Sequence, residues 1–363
     1  MNDTLKATYE RINARSIPTA QEELNGPTTY CKAIWAVDGW HEYKLGELFE
    51  FLEPLKTEGV FFDLHHSPGK LHWTLLQLQT FPCVPIAEDH TQTVSALKNA
   101  IGSFPNLRLS FFGISKTRYG IFLNGYPNYD VNKLRNKIRE SVRQLNEPHP
   151  QDICHATLFR FTSPPSPQAL ALIDAAVERF KTIHIADCTP RNWEYGYGTW
   201  LQQDAQRQVV ASWPAVPRWI LHRGLMNGPD PTLENQETLL KAHLEEGWEV
   251  EVDVWSLDGV LWLGHDRPTT RLEDHRLLTR PGVWVHLKNL EAAAVLPGFA
   301  HTFIHDTDPA VYTSKGFLWC YPGNVVEHRR SVIVLPERAG FKFPLLGKAA
   351  AVCSDYLPAV FYA

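Results

Sequence analysis

The strongest constraint on the fold is that the first half of the sequence repeats itself. The strand-like apolar segment LHWTLLQL (71–78) carries His72 and Thr74, a helical segment follows at about 89–101, and two strand-like runs close the unit, LRLSFFGI (107–114) and RYGIFLNG (118–125). The same order returns. ICHATLFRF (153–161) carries His155 and Thr157, and a helix over about 167–180 has Ser166 as its N-cap and Pro167 at its first position. TIHIADC (182–188) and WEYGYGTWL (193–201) follow. Two copies of strand–helix–strand–strand, each opening on His-x-Thr, predict an internal pseudo-two-fold in a duplicated α+β domain.

A helix starting after Asp130 joins the copies, with Val131, Leu134, Ile138, Val142 and Leu145 on its apolar side. Its Lys133, Arg135, Lys137, Arg139 and Arg143 read as a solvated face, with nucleic-acid contact as the lesser alternative. RQVVASW (207–213) supplies a last strand, and the two prolines of SWPAVPRW (212–219) mark a linker. A chain of 363 residues is too long for one ordinary domain. The expected division is 1–213 and 214–363.

A His-x-Thr pair has a direct chemical reading when it occurs twice on matching strands. Cleaving a phosphodiester requires one group to take a proton from the nucleophile and another to give one to the leaving oxygen. Two imidazoles facing each other across a cleft share those roles without a metal. A threonine two residues further along a strand points to the same side, so its hydroxyl reaches the same phosphate. One such tripeptide means little; two at equivalent points of a repeat mean much more.

On these residues, His72-Trp73-Thr74-Leu75 and His155-Ala156-Thr157-Leu158, the segment 28–213 resembles the two-histidine phosphoesterase superfamily, the group of bacterial 2′–5′ RNA ligase-like proteins and cyclic phosphodiesterases. The resemblance implies that His72, Thr74, His155 and Thr157 line a central groove, with no cofactor. It also implies substrates that are 2′,3′-cyclic phosphates, 2′–5′ linkages or cyclic oligonucleotides, that is, a small nucleotide or an RNA end. Tyr119, Tyr195 and Tyr197 lie on strands expected to flank the groove, where they would stack a base or, equally, serve as core or rim aromatics. His65 and His66 precede a Ser-Pro-Gly turn and read as loop residues.

The second half has a different rhythm. Short apolar runs recur at WILH (219–222), WEVEVDVW (248–255), VLWLGHD (260–266), GVWVHLK (282–288), TFIHD (302–306), FLWCY (317–321), SVIVLPE (331–337) and AAVCSDY (350–356), with helical segments at about 236–246 and 289–296. Several are apolar on both faces, as in a buried parallel sheet. The runs suggest a reduced α/β, TIM-like barrel, because the segment is well short of the ~250 residues usual for that fold. His222, Asp253, His265, Lys288, Asp306, Glu337 and Asp355 all fall at C-terminal ends of runs. A barrel gathers those ends around one mouth.

HRG (222–224), EN (234–235), EVDVW (251–255), DG (258–259) and GHD (264–266) occur in the order found in glycerophosphodiester phosphodiesterases. This half resembles a compact, divergent relative of that family and of the wider phospholipase-C-like barrels, best over 219–290. The resemblance implies His222 and His265 as an acid–base pair, and Glu234, Glu251 and Asp253 as ligands of Mg²⁺ or Ca²⁺. Arg223 and Lys288 would hold the phosphate of a small phosphodiester. One departure matters: His286-Leu287-Lys288 stands where the family has Glu-x-Lys, which favours a softer metal or weaker binding, with Asp306, Asp308 or Asp355 as candidates for the missing carboxylate. Trp248, Trp255, Trp262, Trp284 and Trp319 read as packing residues.

Composition narrows the field. A net charge of −5 opposes a protein that coats duplex DNA electrostatically. The six cysteines, at 31, 83, 154, 188, 320 and 353, form no CxxC pair, which opposes a zinc ribbon or a disulfide scaffold. The charged start MNDTLKATYERINAR has no apolar core like that of a secretory signal, and no run of about 18 apolar residues exists. The expectation is a cytoplasmic bifunctional phosphodiesterase without membrane contact. Two alternatives stand beside it: a protein that sequesters a cyclic nucleotide, and a chain in which only the first domain is active.

Overall fold

The structure, a computed structural model, describes residues 2–15, 29–58, 60–62, 71–81, 88–117, 119–142, 147, 151–161, 164–200, 207–215, 217–324, 328, 330–340 and 349–362. His65, His66, Cys83, Arg143 and Leu145 lie outside them. The chain forms two compact units, 1–97 with 107–215 and 98–106 with 216–363.

The elements of the first half are α1 (Asp3–Asn13), β1 (Thr29–Val37), β2 (Trp40–Glu42), α2 (Leu45–Leu52), β3 (Val60–Phe62), β4 (His72–Phe81), α3 (Thr91–Gly102), β5 (Leu109–Thr117), β6 (Gly120–Pro127), α4 (Val131–Ser141), β7 (Cys154–Phe161), α5 (Pro167–Phe180), β8 (His184–Cys188), β9 (Asn192–Trp200) and β10 (Arg207–Pro214). The repeat predicted from sequence is present, as β4–α3–β5–β6 and β7–α5–β8–β9. Capping chemistry sets the helix starts: the Ser166 hydroxyl accepts from the Ala169 N–H, and the Asp130 carboxylate accepts from the Asn132 N–H.

The two copies do not each close a sheet of their own. β4 pairs with β1 in a four-stranded antiparallel sheet of order β10-β9-β1-β4, whereas β7 lies in a second sheet of order β2-β8-β5-β6-β7-β3. The two His-x-Thr strands thus belong to different sheets, and β4 and β7 pack against each other. Leu75, Leu76, Ala156, Leu158 and Phe159 are buried on the side away from the histidines. Burying that side, at about 25 cal/mol per Å² of apolar surface, fixes which way the histidines point, because a one-residue slip would turn them into the core.

The second unit holds β11 (Arg218–Leu221), α6 (Glu237–Glu245), β12 (Glu249–Leu257), β13 (Val260–Leu263), β14 (Thr270–Arg271), β15 (Val283–Leu287), α7 (Leu290–Val295), β16 (Thr302–Ile304), β17 (Ala310–Tyr312), β18 (Leu318–Cys320), β19 (Ser331–Val334) and β20 (Ala351–Ser354). Its parallel pairs run β16-β15-β12-β11-β20-β19-β18, so the last strand lies beside the first. The sheet curls. Trp284 of β15 and Trp319 of β18 sit on strands far apart in that order, yet their ring centroids are 5.8 Å apart.

Alternate residues divide between two cores. Leu240 of α6 and Ala292 of α7 pack with Val250, Val252, Val254, Val283 and Val285 on the helix-covered side. Ile220, Trp284, Phe303, Trp319, Val332 and Cys353 fill the inner side.

This falls short of a TIM barrel. The run 260–266, expected as a barrel strand, instead forms β13, antiparallel to β12. The reason is local: Asp258 (φ 52°) and Gly259 (φ 75°) both take the left-handed conformation of a two-residue hairpin turn, which leaves no room for a crossover helix. β17 is likewise antiparallel to β18. The tryptophans behave as packing residues, with Trp248, Trp284 and Trp319 buried and Trp255 and Trp262 half-buried.

Candidate functional site

In the first unit the two motif strands share one irregularity. On β4, Thr74 pairs with Trp35 and Leu76 with Ile34, leaving Leu75 as an extra residue. On β7, Thr157 pairs with Phe122 and Phe159 with Ile121, leaving Leu158 extra. Each strand therefore bulges directly after its threonine. A bulge reverses the alternation of side chains, so a third residue joins the motif face. On β4 positions 72, 74 and 77 are half-buried and 73, 75, 76 and 78 buried. On β7 positions 155, 157 and 160 are half-buried and 156, 158, 159 and 161 buried. His72, Thr74 and Gln77 thus match His155, Thr157 and Arg160.

The electrostatics single out His155. Burial pushes the His155 imidazole down to about 3, and the positive charges of Arg160 and Arg135 and the nearness of His72 press in the same direction. His155 is therefore neutral over the ordinary pH range, the form a general base needs. Its ring lies 4.9 Å from that of Phe122. The Arg160 guanidinium also lowers the proton affinity of Cys31 on β1, although burial carries that thiol up to about 11. One cation thus acts electrostatically on both the histidine of one sheet and the first strand of the other.

Two expected groove residues face the other way. Tyr195 and Tyr197 of β9 pair with Ile34 and Lys32, whereas the Thr74 side of β1 is that of Trp35 and Val37. The Tyr195 hydroxyl is 3.1 Å from His90 Nδ1, and the Tyr197 hydroxyl donates to Glu88 at 2.7 Å. Lys32 closes the cluster with an ion pair to Glu88. These tyrosines join a polar cluster behind the sheet that opens to solvent at Glu88, because strand parity puts them opposite Glu194. What shares the Thr74 face is Trp35, with Arg207 5.9 Å from its ring and Glu194 3.5 Å from Arg207. Tyr119 lies in the β5–β6 turn, half-buried. Arg160, Trp35 and Arg207 carry no signal in the sequence, because only the bulge and the strand pairing bring them to the motif.

In the second unit the residues at C-terminal strand ends do converge. His222, on the turn after β11, has Nδ1 2.6 Å from Asp355 Oδ1 and Nε2 4.0 Å from Glu251 Oε2. His286 Nδ1 lies 2.9 Å from Asp253 Oδ1 and 3.8 Å from Glu251 Oε1. Glu251, Asp253 and His286 offer ligand atoms within 4.8 Å of one another. Asp253 also accepts from Asn235 Nδ2, and Arg223 Nε (3.2 Å) and Lys288 Nζ (3.6 Å) neutralise it. Burial alone would raise Asp253; the close approach of His286 and the charges of His286, Lys288 and Arg223 outweigh it and hold the carboxyl well below its usual range. Glu251 goes the other way, raised by burial and by the charge of Asp253.

Glu234 is not part of the acidic cluster. It accepts from Arg223 Nη1 at 2.8 Å and so holds the guanidinium whose Nε faces Asp253. His265 is partly exposed, with Nδ1 2.6 Å from Asp266 Oδ1, and within electrostatic reach of Asp253, Arg223 and Lys288. Asp355 braces His222 rather than supplying the carboxylate of the acidic cluster, while Asp306 and Asp308 are exposed.

No family model matches the chain, and no curated protein matches it in sequence. Solved structures similar to it include TT0787 of Thermus thermophilus, 15% identical, with 51% of this chain and 97% of that chain covered at a TM-score of 0.34. A phosphoesterase is 14% identical over 51% of this chain and 98% of its own, at a TM-score of 0.28. E. coli LigT complexed with 3′-AMP is 13% identical over 51% and 98%, at a TM-score of 0.30. The resemblance of the second half to glycerophosphodiester phosphodiesterases finds no support among them. No helix among the described residues is long and apolar enough to cross a membrane.

Proposed function

We propose that the first unit is a phosphodiesterase acting on nucleotide-type diesters, a 2′,3′-cyclic phosphate, a 2′–5′ linkage or a cyclic oligonucleotide. The observation that carries this reading is the identical exposure and bulge of the two His-x-Thr strands, which pack together from different sheets. A duplicated core histidine would not require both copies to keep the same open positions. His155, neutral, takes the proton from the attacking hydroxyl or water, and His72 gives one to the leaving oxygen. Thr74 and Thr157 donate hydrogen bonds to the non-bridging oxygens, and Arg160 offsets their growing charge. Proton transfer by imidazole needs no metal, so EDTA is expected to leave this activity intact.

The test is product analysis after incubating the full chain with each diester class. A linear phosphate product, with its 2′ or 3′ position identified, supports catalysis. Recovery of intact ligand from the protein would sink the enzyme reading in favour of sequestration.

A specific observation favours a second reading for the other unit, that it holds a divalent cation and acts on a small phosphodiester. His286 Nε2 lies 3.3 Å from the His305 carbonyl. A cation held there would take the Nδ1 lone pair of a neutral His286 together with Asp253 Oδ1, the two atoms lying 2.9 Å apart. Asp253 Oδ1 is buried and accepts no well-aligned hydrogen bond among the described residues. Glu251, Asp253 and His286 would hold the ion, which supplies electrophilic assistance to a phosphate oxygen when bound. His222, oriented through Nδ1 by Asp355, then presents Nε2 for proton transfer, with His265 as the second acid–base candidate, and Arg223 and Lys288 are placed to bind phosphate.

Mixed carboxylate–imidazole donors favour Mn²⁺ or Zn²⁺ over Mg²⁺ or Ca²⁺. Calorimetric titration of metal-stripped protein is expected to show tighter Mn²⁺ than Mg²⁺ binding, lost in His286→Ala. Equal heats in wild type and variant would remove the site.

A further inference from the structure

Arg135 is the least expected side chain in the first unit. It is a cation on a helix whose other basic residues face outward, and it is only 1% exposed. Its Nε donates to the Leu75 carbonyl at 2.9 Å. Nη1 donates to the Gln151 carbonyl at 2.9 Å and to Asn132 Oδ1 at 3.1 Å. Nη2 donates to the Ile153 carbonyl at 2.7 Å and lies 4.0 Å from Cys154 Sγ. All five N–H bonds of the guanidinium are therefore directed at acceptors, and none of these acceptors is a carboxylate.

The positions of those acceptors give the arrangement its meaning. Leu75 is the bulge residue of β4, immediately after Thr74. Gln151, Ile153 and Cys154 are the approach to β7, ending one residue before His155. The Gln151 side chain adds a second brace, accepting from the Gln77 N–H at 3.2 Å. A buried charge held by neutral acceptors alone is costly to desolvate, so an apolar residue would serve a purely packing role more cheaply. What only a planar, five-donor fork provides is simultaneous hold on both motif strands.

We propose that Arg135 is a positioning residue for the first site, fixing the separation of the two His-x-Thr strands and acting through them on His72 and His155. The inference rests on the phosphodiesterase reading above. Its charge has a second consequence. His155 feels positive charge from Arg160 on its own strand and Arg135 on α4, and faces His72 of β4. Removing one of these charges lets the imidazole hold its proton to higher pH.

The experiment compares Arg135→Lys and Arg135→Met with wild type in the full chain. Steady-state kinetics on a diester that wild type cleaves is paired with NMR titration of the His155 ring. The lysine keeps the charge and loses the fork. It is expected to lower kcat by about tenfold or more with little change in KM, since small misplacements of reacting groups are costly, and to leave the His155 titration in place. The methionine is expected to lower kcat at least as far and, in addition, to move the His155 titration and the acid limb of the pH profile upward.

Wild-type kcat in the lysine variant, or an unmoved titration in a folded methionine variant, would overturn the proposal. Should the methionine variant not fold, the lysine variant decides the matter. If wild type cleaves no diester at all, it is the phosphodiesterase reading that fails, and the titration still tells whether Arg135 acts on His155.

Discussion

His155→Ala is expected to lower kcat for diester cleavage by about 10²–10⁴-fold, the range supplied by a positioned acid–base group, with KM changed far less. His72→Ala is expected to fall in the same range. The double variant is expected to lose little more than either single one, because the two groups act in one proton-transfer sequence. The pH dependence gives the sharper signature. An ordinary histidine base would lose activity as the pH falls through about 6.5. His155 binds its proton only near 3, so its acid limb lies well below that. The sign is consistent for stability as well: between the unfolded and folded values only the unfolded chain is protonated at this site, so His155 makes the fold less stable as the pH falls through that window. A steady-state pH profile of kcat/KM checks the assignment. An acid limb near 6.5 that vanishes in His155→Ala would refute the depressed proton affinity while leaving the catalytic role intact.

The parts legible in the sequence are those carried by local pattern. The repeat can be read because periodicity switches from two to 3.6 and back in the same order twice, and because His-x-Thr marks both openings. The polar residues of the second unit can be read because strand ends in a parallel arrangement lie together whichever strands intervene. The pairing of strands and its consequences stay hidden. Gln77 and Arg160 reach the motif face only through bulges at Leu75 and Leu158, which no propensity marks. A strand that flanks the groove suggests Tyr195 and Tyr197 as its lining, yet the register with Lys32 and Ile34 decides the face and turns them away. Residue type alone sends Arg135 to the solvated face, whereas its spacing, four residues after Val131 and three before Ile138, puts it within the helix's own apolar stripe. The Asp258-Gly259 pair is a hairpin signal in plain view, and it outweighs the apolar run of 260–266 that suggests a barrel strand.

Asp253→Ala is expected to cost the second unit about 3–5 kcal/mol, the penalty for removing one partner from a buried charge network. The carboxylate is 0% exposed and faces Arg223, His286, Lys288 and Asn235 at 2.9–3.6 Å. Without it Lys288 loses its anion and Arg223 keeps only Glu234 among the ion pairs of the described residues. Because the folded carboxyl sits below its ordinary value, its contribution is complete above about pH 4 and is lost as the pH falls through the folded value. Urea unfolding at pH 7 and at pH 3 separates this from simple loss of packing: the wild-type advantage over the variant is expected to shrink in acid. A cation between Asp253 and His286 would add a second difference, since ligand binding stabilises the folded state by about 2.7 kcal/mol at a hundredfold excess over Kd. Wild type would then be raised by Mn²⁺ and Asp253→Ala would not. A variant as stable as wild type would mean that Arg223 and Lys288 find other anions, and the acidic cluster would lose its claim to hold the mouth together.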